Sequence, residues 1–263
     1  MKYVVMYSGG IGSWASARRL VDQHGPDSVI CLFSDVKGNS TDPNVGEDQD
    51  TYRFITESVA QLGCEYVRVA DGRDIWQVFT DERFLGNSRL ASCSKLLKQA
   101  PARKWLQENT TPETHTVVIG IDWTETHRTA AVVKAYDPYQ VLFPMCVAPL
   151  LDKFDMITWS ESLGIKPPRL YGLGFSHNNC GGGCVRAGQG QFKHLMNVMP
   201  VRYNVWATKE QEIREYLDRD VSILKDTRGG TTKTLTLMDL QTREEAQLDM
   251  FDLGGCGCFV EDP

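Results

Sequence analysis

The residues whose types and spacing could do chemistry fall into two sets, a serine- and glycine-rich turn near the N-terminus and a group of cysteines from position 93 onward. The turn is Ser8-Gly9-Gly10-Ile11-Gly12-Ser13. Before it, Tyr3-Val4-Val5-Met6-Tyr7 is short, β-branched and aromatic, and reads as a buried strand. After it, Trp14-Ala15-Ser16-Ala17-Arg18-Arg19-Leu20-Val21 places apolar residues at helical spacing. A strand, a glycine-rich turn and a helix make an anion site, because free backbone N–H groups and the positive helix end face outward and glycine admits a phosphate closely. An ordinary strand–helix turn is the alternative. No Gly-Lys-Ser/Thr closes the turn, so it is not a Walker A loop, and only Gly10 and Gly12 keep part of the dinucleotide-binding spacing.

The chain has eight cysteines. Cys31, Cys64 and Cys146 stand singly and read as small core residues. Cys180 and Cys184 lie four positions apart among glycines and asparagines, and Cys256 and Cys258 lie in a glycine-rich tail. Thiolates converging on a metal need close backbone approach and turns with positive φ, which glycine allows. The two pairs therefore form a candidate metal site.

With 263 residues, 41% of them hydrophobic, the chain can bury a full core. Its net charge of −6 disfavours wholesale electrostatic binding of nucleic acid. No apolar stretch approaches the roughly 20 residues of a membrane span and no signal-peptide pattern opens the chain, so a cytoplasmic protein is expected.

The positioning elements alternate. A buried strand over 28–34 ends at Asp35, which could meet a ribose, a base or Mg²⁺, or could simply cap a turn. A helix over 52–62 stops at Gly63, and a strand follows over 65–69. The stretch 71–89, with Trp76, Phe79 and Phe84, reads as loop-rich, either a lid or satellite core. A basic helix runs over 93–106 with Lys95, Lys98, Arg103 and Lys104, a solvated face being the simpler reading. A fourth strand over 116–121 leads into Asp122-Trp123-Thr124-Glu125-Thr126-His127-Arg128. Further on come a strand at 141–144, a helix over 154–163, an acidic helix over 209–217 and strands over 222–224 and 232–240 about Gly229-Gly230. This order predicts an α/β, doubly wound, mostly parallel, Rossmann-like sheet with a small cysteine-bearing extension. It divides into a nucleotide-binding domain over 1–170 and a C-terminal region over 171–263.

Ser8-Gly9-Gly10-x-x-Ser13 at a first strand resembles the PP-loop of the adenine nucleotide α-hydrolase superfamily, a HUP-like fold whose members split ATP into AMP and pyrophosphate. Gly12 stands where that pattern usually has Asp. Gly120-x-x-x-x-Glu125-x-x-Arg128 resembles the PAPS reductase branch, as do the Pro-bearing strand, the helix, Leu170-Tyr171 and the Gly/Cys loop that follow. The likeness covers roughly residues 1–200.

The resemblance implies that Ser8, Gly9, Gly10, Gly12 and Ser13 hold the phosphates of ATP with Mg²⁺. Asp35 and Gly120 would lie near the adenosine, Glu125 would contact the nucleotide or substrate, and Lys98 and Arg128 would be the catalytic cations, Arg128 holding a phosphate or sulfate-type group by forked hydrogen bonds; an i,i+3 surface pair is the alternative for Glu125 and Arg128. Cluster-bearing sulfonucleotide reductases place cysteines before a Lys-x-x-Pro segment and in a later pair. Here Cys93, Lys98-x-x-Pro101, Cys180 and Cys184 follow that plan with one early cysteine instead of two and a longer later spacing. A [4Fe–4S] cluster on Cys93, Cys180, Cys184 and either Cys256 or Cys258 is the favoured expectation. Zn²⁺ on Cys180, Cys184, Cys256 and Cys258, with His177 competing, and catalytic tail thiols remain alternatives.

The expected function is adenylation of a substrate by ATP, with sulfur transfer as its purpose. Reduction of an adenylyl sulfate and a non-catalytic nucleotide-binding subunit are the competing readings. Expected partners are the nucleotide, an acceptor (tRNA, DNA or a small molecule), a sulfur- or electron-donor protein and a second copy of the chain.

Overall fold

A computed structural model describes residues 1–243. It contains a five-stranded sheet in the order β3-β2-β1-β4-β5, with every neighbouring pair parallel. The strands are β1 (Lys2–Met6), β2 (Val29–Asp35), β3 (Glu65–Ala70), β4 (His115–Val118) and β5 (Val141–Leu142). Helices α1 (Ile11–His24), α2 (Gln49–Leu62), α3 (Ile75–Asp81), α4 (Ala100–Asn109), α5 (Thr129–Tyr136) and α6 (Lys153–Ser162) accompany it. The chain continues through α7 (Arg169–Gly172), α8 (Gln189–Val198), α9 (Pro200–Leu217), the hairpin β6 (Leu224–Asp226) and β7 (Lys233–Leu235), and α10 (Leu237–Thr242). This is the doubly wound α/β architecture expected from the alternation of strands and helices.

Side-chain alternation along the strands sorts the core into two layers. Val5, Cys31, Phe33 and Val118 pack with Trp14 of α1, Phe54 of α2 and Met156 of α6. Val4, Met6, Ile30, Leu32 and Val117 pack with Leu106 of α4 and Val132 of α5. β2 is buried along its whole length, which is why it reads as a continuous apolar run. Gly63 ends α2 in the left-handed region (φ +66), its N–H bonded to the Val59 carbonyl.

A third core joins Val36, Ile75, Phe79 and Leu97 to Leu170, Phe192, Trp206, Leu224 and Leu237. Packing is therefore continuous across position 170, and the C-terminal region closes over the loops that leave β2 and β3. Three local expectations are corrected here. The loop-rich stretch 71–89 contains α3, started by a capping box of Asp74 and Gln77, and its Trp76 and Phe79 are core side chains. The basic helix is a π-helical turn, Ser94–Gln99, leading into α4, and it is not one solvated face because Lys98 is buried. Alternation over 232–240 ends at Leu235, because Thr236 and Asp239 form a capping box that starts α10.

The sheet order reverses between β1 and β4, and the loops leaving their carboxyl ends flank a crevice, the usual ligand position in such sheets. No helix among the described residues is long and apolar enough to cross a membrane.

Candidate nucleotide site and cysteine pocket

The serine–glycine turn bridges β1 and α1. Gly9 has φ +74, and a Cβ there would stand 2.7 Å from Thr51 Cγ2, so both conformation and space require glycine. Ser8 Oγ accepts from Gly10 N (3.3 Å) and donates to Ser13 Oγ (3.3 Å), which in turn donates to the Gly10 carbonyl (2.8 Å). The Tyr171 hydroxyl accepts from Ile11 N at 3.1 Å. Gly12 and Ser13 lie in the first turn of α1, where backbone N–H groups have no intrahelical acceptor. The turn thus has the donors that an anion needs.

Gly12 meets Gly120 backbone to backbone. A Cβ on Gly12 would lie 2.7 Å from the Gly120 carbonyl oxygen, and one on Gly120 would lie 2.7 Å from Ser13 N. This contact draws the loops after β1 and β4 together across the switch point. It also gives a steric reason for glycine at position 12, where the PP-loop pattern has Asp.

A pocket of about 110 Å³ opens there. Ser8, Gly10, Gly12, Ser13, Gly120, Glu125 and Arg128 line it together. Asp122, Lys153, Tyr171, His177, Asn178 and Asn179 also line it. Arg128 pairs with Glu125, and Lys153 Nζ donates to the Ser176 carbonyl. Burial, reinforced by Lys153, holds the His177 imidazole below its ordinary pKa. Gly9 contributes from behind the wall: its carbonyl accepts from Asn178 Nδ2 at 2.9 Å.

Asp35 lies outside this lining. Its Oδ1 accepts from Lys37 N (3.0 Å) and the Tyr52 hydroxyl (2.8 Å), and its Oδ2 pairs with Arg68. That is the turn-capping alternative. Burial and the adjacent Asp35 push the Tyr52 phenol upward, which keeps it a donor.

Lys98 is separated from Arg128. Its ammonium bonds Glu47 Oε1 at 3.0 Å, and the side chain lines a second pocket together with Cys93, Cys180, Cys184, Arg186 and Trp206. Cys180 N–H donates to Glu47 Oε2, and its carbonyl lies 3.5 Å from Arg202 Nη1. The hydrogen bond with Cys184, followed by burial, pushes the Cys180 thiol up, while Lys98 acts in the opposite sense. The glycines between these cysteines are packing residues: a Cβ on Gly181, Gly182 or Gly183 would strike Arg202, Phe175 or Trp206 respectively.

Among the described residues no three His, Cys, Asp or Glu side chains stand close enough to hold one metal ion. His177 faces the nucleotide pocket. Cys256 and Cys258 lie outside the described residues. Cys93, Cys180 and Cys184 do border one recess of about 20 Å³, and Lys98 at its wall is already paired with Glu47, so what the recess offers an iron–sulfur group is its three soft thiol donors. A cluster spreads its cysteines over several irons, so its ligands stand farther apart than those of a single ion.

Comparison with known proteins adds no relative: no family model and no curated protein matches the chain.

Sequence reasoning missed Glu47, Lys153 and Asn178. Glu47 sits in a polar loop with no periodicity, and Lys153 stands just before the helix expected over 154–163. Asn178 carried one usable signal, its place in the Asn-Asn-Cys run.

Two outcomes follow from this geometry. Gly12→Ala, and equally Gly12→Asp, is expected to force the two loops apart, costing about 1–3 kcal/mol of stability in urea unfolding; an unchanged midpoint would refute the backbone-contact account. His177 binds its proton more readily in the unfolded chain. Its contribution to stability is complete above about pH 6.5 and is lost as the pH falls toward the depressed folded value. His115, lowered by burial and Lys2, acts in the same sense. Urea midpoints are expected to fall between pH 7.5 and 5.5, with a smaller fall in His177→Gln.

Proposed function

We propose that this chain is an ATP-binding PP-loop enzyme that cleaves ATP to AMP and pyrophosphate in order to adenylate an acceptor, in the service of sulfur transfer. The observation that supports it most is the convergence of Ser8, Gly10, Gly12 and Ser13 with Gly120, Glu125 and Arg128 around one pocket at the sheet's switch point. These are the two segments whose sequence resembles the superfamily, and they meet through a glycine–glycine contact.

In this reading the phosphates of ATP lie on the turn, with Gly12 and Ser13 N–H groups and Mg²⁺ offsetting their charge. An acceptor oxygen attacks the α-phosphorus. The bond to the bridging α–β oxygen breaks, and pyrophosphate leaves with the electron pair. The acceptor, now an adenylate, is attacked by sulfur and AMP departs. Arg128 and Lys153 are placed to meet anionic oxygens of the substrate. Cys93, Cys180, Cys184 and a tail cysteine would hold an iron–sulfur cluster, which when bound supplies sulfur carriage or electrons. Exposed Lys95, two residues from Cys93, and exposed Lys104 on α4 offer charge to an anionic acceptor such as tRNA or DNA.

A second reading, reduction of an adenylyl sulfate, is favoured by the position of Lys98 at the cysteine pocket, where a cation could hold a sulfonate. Product analysis separates them. With α-labelled ATP and an acceptor pool of tRNA, DNA and small thiols, AMP and pyrophosphate are expected, with Ser13→Ala slower by about tenfold to a hundredfold. Sulfite from adenylyl sulfate without pyrophosphate from ATP overturns the first reading, and ATP binding without AMP leaves a nucleotide-binding subunit. Anaerobically purified protein is expected to be brown, with iron and acid-labile sulfide that Cys93→Ser or Cys184→Ser removes; a colourless protein with stoichiometric zinc overturns the cluster.

A further inference from the structure

The nucleotide pocket and the cysteine pocket share one loop. Residues 177–179 line the first, and Cys180 and Cys184 line the second. Each half of the loop is tied down by buried polar groups. Asn178, almost fully buried, donates from Nδ2 to the Gly9 carbonyl (2.9 Å) and accepts from Thr51 Oγ1 (3.2 Å) at Oδ1. Two residues later Cys180 N–H is held by Glu47, whose other oxygen binds Lys98 in the cysteine pocket. Gly182's carbonyl accepts from Gln191 Nε2 at 2.8 Å.

The Gly9 carbonyl and the Gly10 N–H belong to the same planar peptide unit. Gly10 N–H has only a long bond, 3.3 Å, to Ser8 Oγ. A phosphate oxygen that takes this N–H polarises the whole unit and makes the Gly9 carbonyl a stronger acceptor for Asn178. The pull acts on a loop whose glycines are wedged against Phe175 and Trp206, so it has little slack to absorb a shift before Cys180.

We propose that Asn178 is a positioning residue that transmits nucleotide occupancy of the serine–glycine turn to Cys180 and Cys184. It follows by linkage that a group loaded on the cysteines alters nucleotide affinity by the same factor. The inference rests on the reading that the turn binds the phosphates of ATP.

Hydrogen exchange of the full-length protein as purified, with and without α,β-methylene ATP and Mg²⁺, tests both. Binding itself is read from calorimetry and from protection of residues 8–16. Amides of residues 180–187, which do not line the nucleotide pocket, are expected to exchange about fivefold or more slowly when the analogue is bound. In Asn178→Ala, at matched occupancy, residues 8–16 stay protected and the protection at 180–187 is lost. Asn178→Leu, close to asparagine in size, loses the donor to Gly9 without a cavity or a buried charge, and should behave as the alanine variant does, which guards against a folding defect in the latter. Binding with unchanged exchange at 180–187 overturns the coupling. So does undiminished transmission in the variant that folds. Absence of binding overturns the nucleotide reading beneath it.

Discussion

Two backbones that touch at Gly12 and Gly120 set the geometry on which the site depends. In an open parallel sheet the loops after the two strands at the switch point ordinarily diverge, and the crevice between them takes the ligand. Here they are drawn together until the Gly120 carbonyl stands where a Cβ of Gly12 would be. The crevice narrows to a pocket whose one wall is the first turn of α1 and whose other wall is the segment from Gly120 to Arg128. Side chains that reach into it, including Arg128 and Lys153, are positioned relative to backbone donors and not to a mobile loop.

Buried charge provides the second constraint. Glu47 and Asp48 are adjacent and almost wholly buried, and they face in different directions: Glu47 toward Lys98 and Cys180, Asp48 toward Arg169 in a forked pair and the start of α2. Desolvating such pairs is costly, so they are weak evidence for stability. Their value is in registry. Asp48 links α2 to α7, and α7 carries the Tyr171 hydroxyl that accepts from Ile11 N. Glu47 links the π-helical turn to the cysteine loop. Through these two carboxylates the region beyond 170 is held against the loop after β2, which accounts for a core that runs across the expected boundary.

The sheet was legible because its strands are short apolar runs separated by helical periodicity and by glycine stops such as Gly63. The lining of the switch-point pocket was legible in its backbone half, where glycine spacing is itself the signal, and less so in its side-chain half. Lys153 and Asn178 come from elements remote in sequence, and only the Asn-Asn-Cys run marks the neighbourhood of either. Asp35 illustrates the opposite case. A carboxylate at the end of a parallel strand has the right address for a ligand, but Tyr52 and Arg68 satisfy it from outside the pocket. Position along a strand does not report which neighbours claim the side chain. Alternation failed at 232–240 for a related reason: a three-residue capping signal outweighs a period-two pattern once Leu237 and Leu240 can be buried from a helix.

The glycine run beside the cysteines carries a different lesson about the chemistry. Glycine between thiols suggests a pliable loop that closes around a metal, which is one part of the metal expectation beside the resemblance. In the folded chain the same glycines are contact surfaces for Arg202, Phe175 and Trp206, and Cys180 itself adopts a positive φ of 49° with both of its backbone polar groups engaged. The donors are therefore presented by a frame fixed before any guest arrives. A preorganised frame of this kind loses little conformational freedom on binding, but it also cannot adapt its spacing to whatever ion is offered. The packing of three glycines against an arginine and two aromatic rings thus fixes where Cys180 and Cys184 stand.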